Sequence, residues 1–202
     1  MNLRARQPEP RYRSILGADI EHSTGHLNTD KGVLRQVMYD LFDEALDGAG
    51  ITKEHRDKPL DRGDGFFALI HATDEVPKTL MLNSVIPTVN RLLTDHGLRH
   101  PEHRFKLRIA VHAGEVHRDD NGWFGEAIDL THRLLNAMEL KRTLRRTDAS
   151  LVLVASDDIY QGVIRHGYDG IDADTFEARI RVRLGGRYHR GWVHIPVLTT
   201  SS

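Results

Sequence analysis

The chain has 202 residues, which is enough for one well-buried domain and short for two independent cores. Its 28 lysines and arginines nearly balance its 29 aspartates and glutamates, so the net charge of -1 favours binding neither to nucleic acid nor to an anionic membrane. The absence of cysteine excludes disulfide frameworks, thiolate zinc sites and cysteine nucleophiles.

The N-terminal segment 1–11 is rich in arginine and proline, and we predict a flexible, solvated arm ahead of a single domain over 12–202. No apolar run approaches the roughly 20 residues of a membrane span. The first residues also lack the apolar stretch of a secretory signal. We therefore expect a cytoplasmic protein without membrane partners.

Apolar spacing predicts the elements of this domain in chain order. Compact or alternating apolar residues predict strands over 12–20, 105–117, 151–155, 176–184 and 188–198. Helical spacing predicts helices over 31–49, 75–96, 126–140 and 156–164. The segment 58–71 predicts a hairpin that turns at Asp64 between two glycines.

Single residues refine these boundaries. Pro87 should disturb the second helix, which we expect to end at Gly97. Gly114 predicts a bend or bulge, 118–123 a loop, and Met138 an inward-facing residue of the third helix. The order βαββαββαβαββ indicates an α+β fold, a mainly antiparallel sheet with packed helices.

Three separated motifs carry charged residues at predicted strand ends. They read DIEHST over 19–24, RGDGF over 62–66 and RIAVHAGEV over 108–116, and the third leads to Gly125 and Arg133. In this order and spacing they resemble the catalytic domains of class III adenylate and guanylate cyclases, in the manner of a divergent bacterial member. The resemblance covers about residues 12 to 140. It implies a ferredoxin-like βαββαβ core and a homodimer that converts a nucleoside triphosphate to a 3′,5′-cyclic nucleotide plus pyrophosphate.

Asp19 and Asp64 are the candidate metal ligands. Displacement at an α-phosphate needs cations that activate the attacking oxygen and neutralise the leaving pyrophosphate, and carboxylates suit Mg²⁺ or Mn²⁺. The resemblance implies two such ions per site, with the backbone carbonyl of Ile20 as a further ligand. Alone, Asp64 would be an ordinary turn aspartate.

Arg133 matches the family arginine that stabilises charge at the α-phosphate and that comes from the other subunit. Asp129 stands where the family has an asparagine. At roughly 5 Å and an effective dielectric of about 20, a carboxylate facing another negative charge costs about 3 kcal/mol. Asp129 therefore pairs with Arg133, binds a further cation, or marks a lost reaction, and the sequence leaves these three possibilities open.

The expected nucleotide contacts also depart from the family. Ser23 and Thr24 stand in place of the usual Phe-Thr pair near the triphosphate. Leu60 and Gly122 fall at the base-reading positions, where neither can read a base by hydrogen bonding. ATP cannot be assumed, and similar departures in bacterial pyrimidine cyclases keep UTP and CTP open.

Near the C-terminus, Arg187 or Arg190 matches the basic residue that the family offers to the β- and γ-phosphates, or belongs to an exposed basic turn. His112, on an alternating strand, is predicted to be a hydrogen-bonded core or interface residue. The alternative to an active cyclase is a catalytically inactive protein of the same fold that binds a nucleotide or scaffolds a partner. The departures at Leu60, Gly122 and Asp129 motivate it.

Overall fold

The computed structural model describes residues 8–21 and 27–197. Over these ranges eight strands form one sheet. The strands are β1 (Arg11–Ile20), β2 (Leu60–Asp61), β3 (Gly65–His71), β4 (Leu107–Asp119), β5 (Gly122–Phe124), β6 (Leu151–Ser156), β7 (Glu177–Leu184) and β8 (Arg187–His194). The α-helices are α1 (Asn28–Gly48), α2 (Ile86–Arg99), α3 (Glu126–Leu135), α4 (Met138–Arg146) and α5 (Asp157–Gly162).

The sheet runs in the order β2-β3-β1-β4-β6-β8-β7, and β5 pairs with the C-terminal end of β4. Neighbouring strands are antiparallel, except that β4 and β6 are parallel. This confirms the predicted α+β class with a mainly antiparallel sheet. In the central strand, Asp19 lies opposite Gly65 of β3 on one side and Arg108 of β4 on the other.

Helices cover both faces of the sheet. Because side chains alternate along a strand, Leu16 joins the core under α1 and α2, whereas its neighbour Ile15 joins the core under α3 and α4. Both are fully buried. In the described part of the chain, no helix is both long and apolar enough to span a membrane.

The predicted third helix is two helices, which corrects the expected span 126–140. Helix α3 ends at Leu135, where the side-chain amide of Asn136 caps the carbonyl of His132 and the N–H of Ala137 donates to the carbonyl of Leu134, three residues back. Ala137 then takes an extended conformation, and α4 begins at Met138. Met138 is 53% exposed rather than inward, since the buried anchors of α4 are Leu140 and Leu144.

The predicted end of the second helix at Gly97 was also wrong, because α2 continues to Arg99. It follows a π-helical turn at Met81–Val85, which places Pro87 near the start of α2, where its missing N–H is tolerated. The side chain of Arg104 packs over Gly97, where an added Cβ would lie 3.1 Å from its Cγ.

Strand β4 has no bulge at Gly114, which pairs in register with Arg13 of β1. The glycine instead allows α3 to approach, since an added Cβ would lie 2.9 Å from the Cβ of Ala127. The predicted loop 118–123 is a tight turn into β5, in which the Asp119 carboxylate accepts the N–H groups of Asn121 and Gly122. The final strand ends at His194, earlier than predicted.

Candidate functional site

Asp19 and Asp64 reach one cleft from neighbouring strands. Asp19 is near the end of β1, Asp64 sits in the turn between β2 and β3, and both line a cleft of about 330 Å³. The two segments are joined where the N–H of Ile20 donates to the carbonyl of Asp64 at 3.0 Å. The antiparallel register of β1 and β3 therefore brings together two carboxylates that are far apart in sequence.

Gly65 permits this close approach. A Cβ at this position would lie 2.3 Å from the carbonyl oxygen of Ala18 and 3.2 Å from the Asp19 carboxylate. Strands β1 and β3 can lie this close together at this point only because residue 65 has no side chain. The adjacent Gly63 has φ +86, so the turn that presents Asp64 also uses the backbone freedom of glycine.

Asp61 fastens the same hairpin to α1. Its carboxylate accepts two hydrogen bonds from Arg35, at 3.1 and 2.5 Å, and one from the N–H of Gly63 at 2.7 Å. These bonds lower the pKa of Asp61, with the Arg35 bond as the main cause. The hairpin is therefore held from outside the cleft.

A buried ion network forms the cleft floor. Arg108 is 6% exposed and donates both to Asp19 and, at 2.6 Å, to Glu21. Glu21 also accepts the Nε of Arg145 at 2.9 Å. Burial, and then the charge of Arg145, lower the pKa of Arg108 to about 10, so it remains a cation at neutral pH. Each buried charge in this network has an opposite charge beside it, as burial requires.

The donor set in the cleft is compatible with a hard divalent cation. Asp19 and Asp64 supply carboxylates, Ile20 lines the same cleft, and Mg²⁺ commonly takes one or two carboxylates and completes its shell with water and phosphate. Within 8–21 and 27–197 there is no cluster of three or more acidic or histidine side chains placed to hold a metal. A cation here would depend on few protein ligands, one of which, Asp19, also contacts Arg108.

Arg133 and Asp129 lie outside this cleft as the described residues form it. Both are exposed on α3 and line a neighbouring groove with Arg183 of β7. From α3 and the residue after it, His132 and Asn136 reach the cleft instead. Burial, and next the charge of Arg62, lower the pKa of His132, which favours its neutral form.

Solved cyclase structures share this architecture. An adenylate/guanylate cyclase/hydrolase from Silicibacter pomeroyi superposes with a TM-score of 0.60 at 18% identity, over 93% of this chain and 98% of that one. The guanylyl cyclase Cya2 gives 0.62 at 14% identity, over 97% and 98% of the two chains. The adenylyl cyclase CyaB from P. aeruginosa gives 0.60 at 10% identity, over 97% and 100%. The chain has the class III nucleotidyl cyclase fold.

Sequence comparison alone does not reach this fold, since no protein-family model and no curated protein sequence matches the chain. At identities of 10 to 18%, the superpositions establish the cyclase fold and leave the activity to be argued from the site. The superposed chains are covered almost completely, so the match is not confined to a shared substructure.

Leu60 and Gly122, which were expected to face the base, lie on two separate strands. Leu60 is in β2, half-buried against the core under α3. Gly122 begins β5 with φ +132, a conformation that favours glycine. The polar residues that follow these two positions have other contacts. Asp61, after Leu60, is hydrogen-bonded to Arg35, and Trp123, after Gly122, lies beneath arginine side chains.

Of the predicted phosphate contacts, Arg187 and Arg190 are described, and neither lines the cleft of its own chain. Arg187 is exposed at the start of β8, and Arg190 lines a separate groove with Asp157 and Asp158. Ser23 and Thr24 lie outside the described residues. The basic residues that do line the cleft from α4, Lys141 and Arg145, carried no signal in the sequence analysis.

Proposed function

We propose that the chain is a cytoplasmic nucleotidyl cyclase, a phosphorus-oxygen lyase that converts a nucleoside triphosphate to a 3′,5′-cyclic nucleotide plus pyrophosphate at a homodimer interface. The observation that carries the proposal is the convergence of Asp19 and Asp64 on one cleft, with Arg133 exposed beside it rather than in it. One chain thus presents the acidic half of a phosphoryl-transfer site without its arginine.

Asp19, Asp64 and the Ile20 carbonyl would hold Mg²⁺ or Mn²⁺, two ions per site. Such ions, when bound, lower the pKa of the attacking hydroxyl and neutralise the leaving group. The two aspartates would hold these cations at the triphosphate, and the hairpin bonds of Asp61 keep Asp64 in place. Arg108 limits the motion of Asp19, because it is bound on its other side to Glu21.

Arg133 would act on the nucleotide bound by the partner chain. A guanidinium presents paired N–H donors to phosphate oxygens and stabilises the charge that grows on them during transfer. Its exposed position on α3 supports this role, since a side chain that must reach into another subunit has to be free of its own core. On this proposal a monomer is inactive.

The second candidate is a catalytically inactive homodimer that binds nucleotide or scaffolds a partner. Two observations favour it: Asp129 lies in the same groove as Arg133, and Asp19 is already paired with Arg108. Both would oppose an anionic transition state or a metal ion. The two candidates differ in whether cyclic product is formed from any of the four nucleoside triphosphates.

Subunit complementation tests the cyclase proposal. Asp19→Asn and Arg133→Ala chains, each purified alone, should form no cyclic product from ATP, GTP, UTP or CTP with Mn²⁺, as measured by mass spectrometry. Mixed in equal amounts and allowed to exchange, they should recover about a quarter of wild-type activity, because half of the dimers then contain one intact site of two.

Arg142→Ala is the matched control, since Arg142 is an exposed arginine of α4 that lies 3.9 Å from Glu139 and outside the cleft lining, and it should keep full activity. Failure to recover activity, in a mixture where differently tagged chains co-purify, would overturn the trans arrangement. Nucleotide binding by the wild type without product from any of the four substrates would establish the inactive candidate.

A further inference from the structure

Helix α4 forms one wall of the cleft and carries cationic side chains to which the proposed chemistry assigns no role. Lys141 and Arg145 both line the cleft that Asp64 lines. With Arg62 and Arg108 they give four permanent cations against three carboxylates. Two of those carboxylates, Asp19 and Glu21, are engaged by Arg108 in the floor.

The packing of α4 fixes the direction of both side chains. Leu140 and Leu144 are fully buried, so Lys141 and Arg145, each one residue further along, share one flank of the helix. The helix end is held as well, because Lys106 donates to the carbonyls of Leu144 and Thr147 at 3.3 and 2.6 Å.

Glu21 holds Arg145 in place without covering it. Its carboxylate accepts a hydrogen bond from the Nε of Arg145 at 2.9 Å, and the Arg145 side chain remains 49% exposed. A guanidinium gripped at Nε presents its two terminal nitrogens in a fixed plane, the geometry that binds phosphate oxygens in pairs.

Like charges crowd this flank. Lys141 and Arg145 are four residues apart on one helix, where two cations repel each other. Burial, followed by the charge of Arg108, lowers the pKa of Lys141, and Arg145 contributes in the same direction. An anion placed between them would relieve both the repulsion and the loss of hydration.

We propose that Lys141 and Arg145 form a polyphosphate subsite that binds the β- and γ-phosphates of the nucleotide, with Glu21 as the residue that positions Arg145. The identity of the ligand rests on the proposed cyclase function, whereas the subsite itself rests on the geometry of α4. The subsite belongs to the same chain as Asp19 and Asp64, so it would bind the pyrophosphate end of the substrate beside the acidic ligands.

The test measures binding without turnover. The full-length chain is titrated calorimetrically with tripolyphosphate, a mimic of the substrate's phosphates, and with pyrophosphate, the product, both with Mg²⁺ present. Lys141→Gln and Arg145→Gln should each weaken tripolyphosphate binding about tenfold, as expected for the loss of one charged hydrogen-bonding partner. Arg142→Gln, on the same helix and outside the cleft lining, should leave it unchanged.

Arg145→Lys should recover part of the affinity, because it restores the charge but not the fork of donors. Lys141→Gln carries the test alone if Arg145→Gln does not fold. Equal affinities for the wild type and both glutamine variants would overturn the subsite, even if cyclic product is made. A weakening confined to these two variants in a protein that makes no cyclic product would uphold the subsite and reject the cyclase function.

Discussion

Replacing Gly65 with alanine should separate the two strands that carry the candidate metal ligands. The added Cβ would lie 2.3 Å from the Ala18 carbonyl oxygen, and ordinary carbon–oxygen contacts begin near roughly 3.3 Å. The strands β1 and β3 must therefore move apart by about 1 Å beside Asp19. Overpacking of this size costs about 1–3 kcal/mol, which lowers the Tm of a domain of this length by roughly 5 °C.

The functional loss should exceed the loss of stability. A misplacement of about 1 Å between reacting groups can cost about a hundredfold in rate. It would also lower the affinity for a cation bound by both Asp19 and Asp64. Three measurements check this: Tm by calorimetry, Mn²⁺ affinity by electron paramagnetic resonance, and cyclic product by mass spectrometry.

Gly48→Ala is the matched control for Gly65→Ala. Gly48 is an exposed residue of α1 with nothing within 4 Å of an added Cβ, so alanine should raise stability by up to about 1 kcal/mol and leave Mn²⁺ affinity unchanged. If Gly65→Ala showed wild-type Tm and wild-type Mn²⁺ affinity, the close approach of β1 and β3 at Gly65 would not be what positions Asp19 and Asp64.

Two further predictions concern charges inside and beside the core. Asp129→Asn should raise turnover by up to about a hundredfold, because it removes the carboxylate next to Arg133; a complete loss of product in steady-state assays would show that the carboxylate has a positive role. Burial lowers the pKa of His112 to about 4 from 6.5, so the unfolded state binds the proton more readily and stability should fall by about 3 kcal/mol as the pH drops through that interval. His112→Gln should remove that part of the pH dependence of the unfolding free energy measured with urea. If the unfolding free energy of the variant changed with pH as in the wild type, the attribution to His112 would be wrong.

The residues that carry the proposed metal site were predictable because their signal is local. Asp19 ends an apolar run and Asp64 sits between two glycines, so each lies at a strand end or turn on sequence pattern alone. His112 was likewise confirmed as a core residue, buried and bonded to the Ser156 hydroxyl at 2.8 Å. The same hydroxyl caps α5, since it accepts the N–H of Ile159.

The basic wall was not predictable because its signal is not local. Apolar spacing continues past Asn136, whereas the side-chain amide of that residue caps the His132 carbonyl at the end of α3 and Ala137 turns extended before α4. The bond that fixes Arg145 joins it to Glu21 across most of the chain. Periodicity and motif spacing report neither a side chain that ends a helix nor an ion pair between distant segments.

The ion network would let the same cleft hold both a buried arginine and the proposed cation. Were Asp19 the sole partner of Arg108, a metal ion at Asp19 would leave that guanidinium buried without an anion, at a cost of several kcal/mol. Glu21 would remove this conflict, because it also accepts Arg108, at 2.6 Å, and could remain its partner if Asp19 bound a metal. Glu21 also holds Arg145, so the acidic and basic sides of the cleft share one buried carboxylate, and a change at that residue should disturb both.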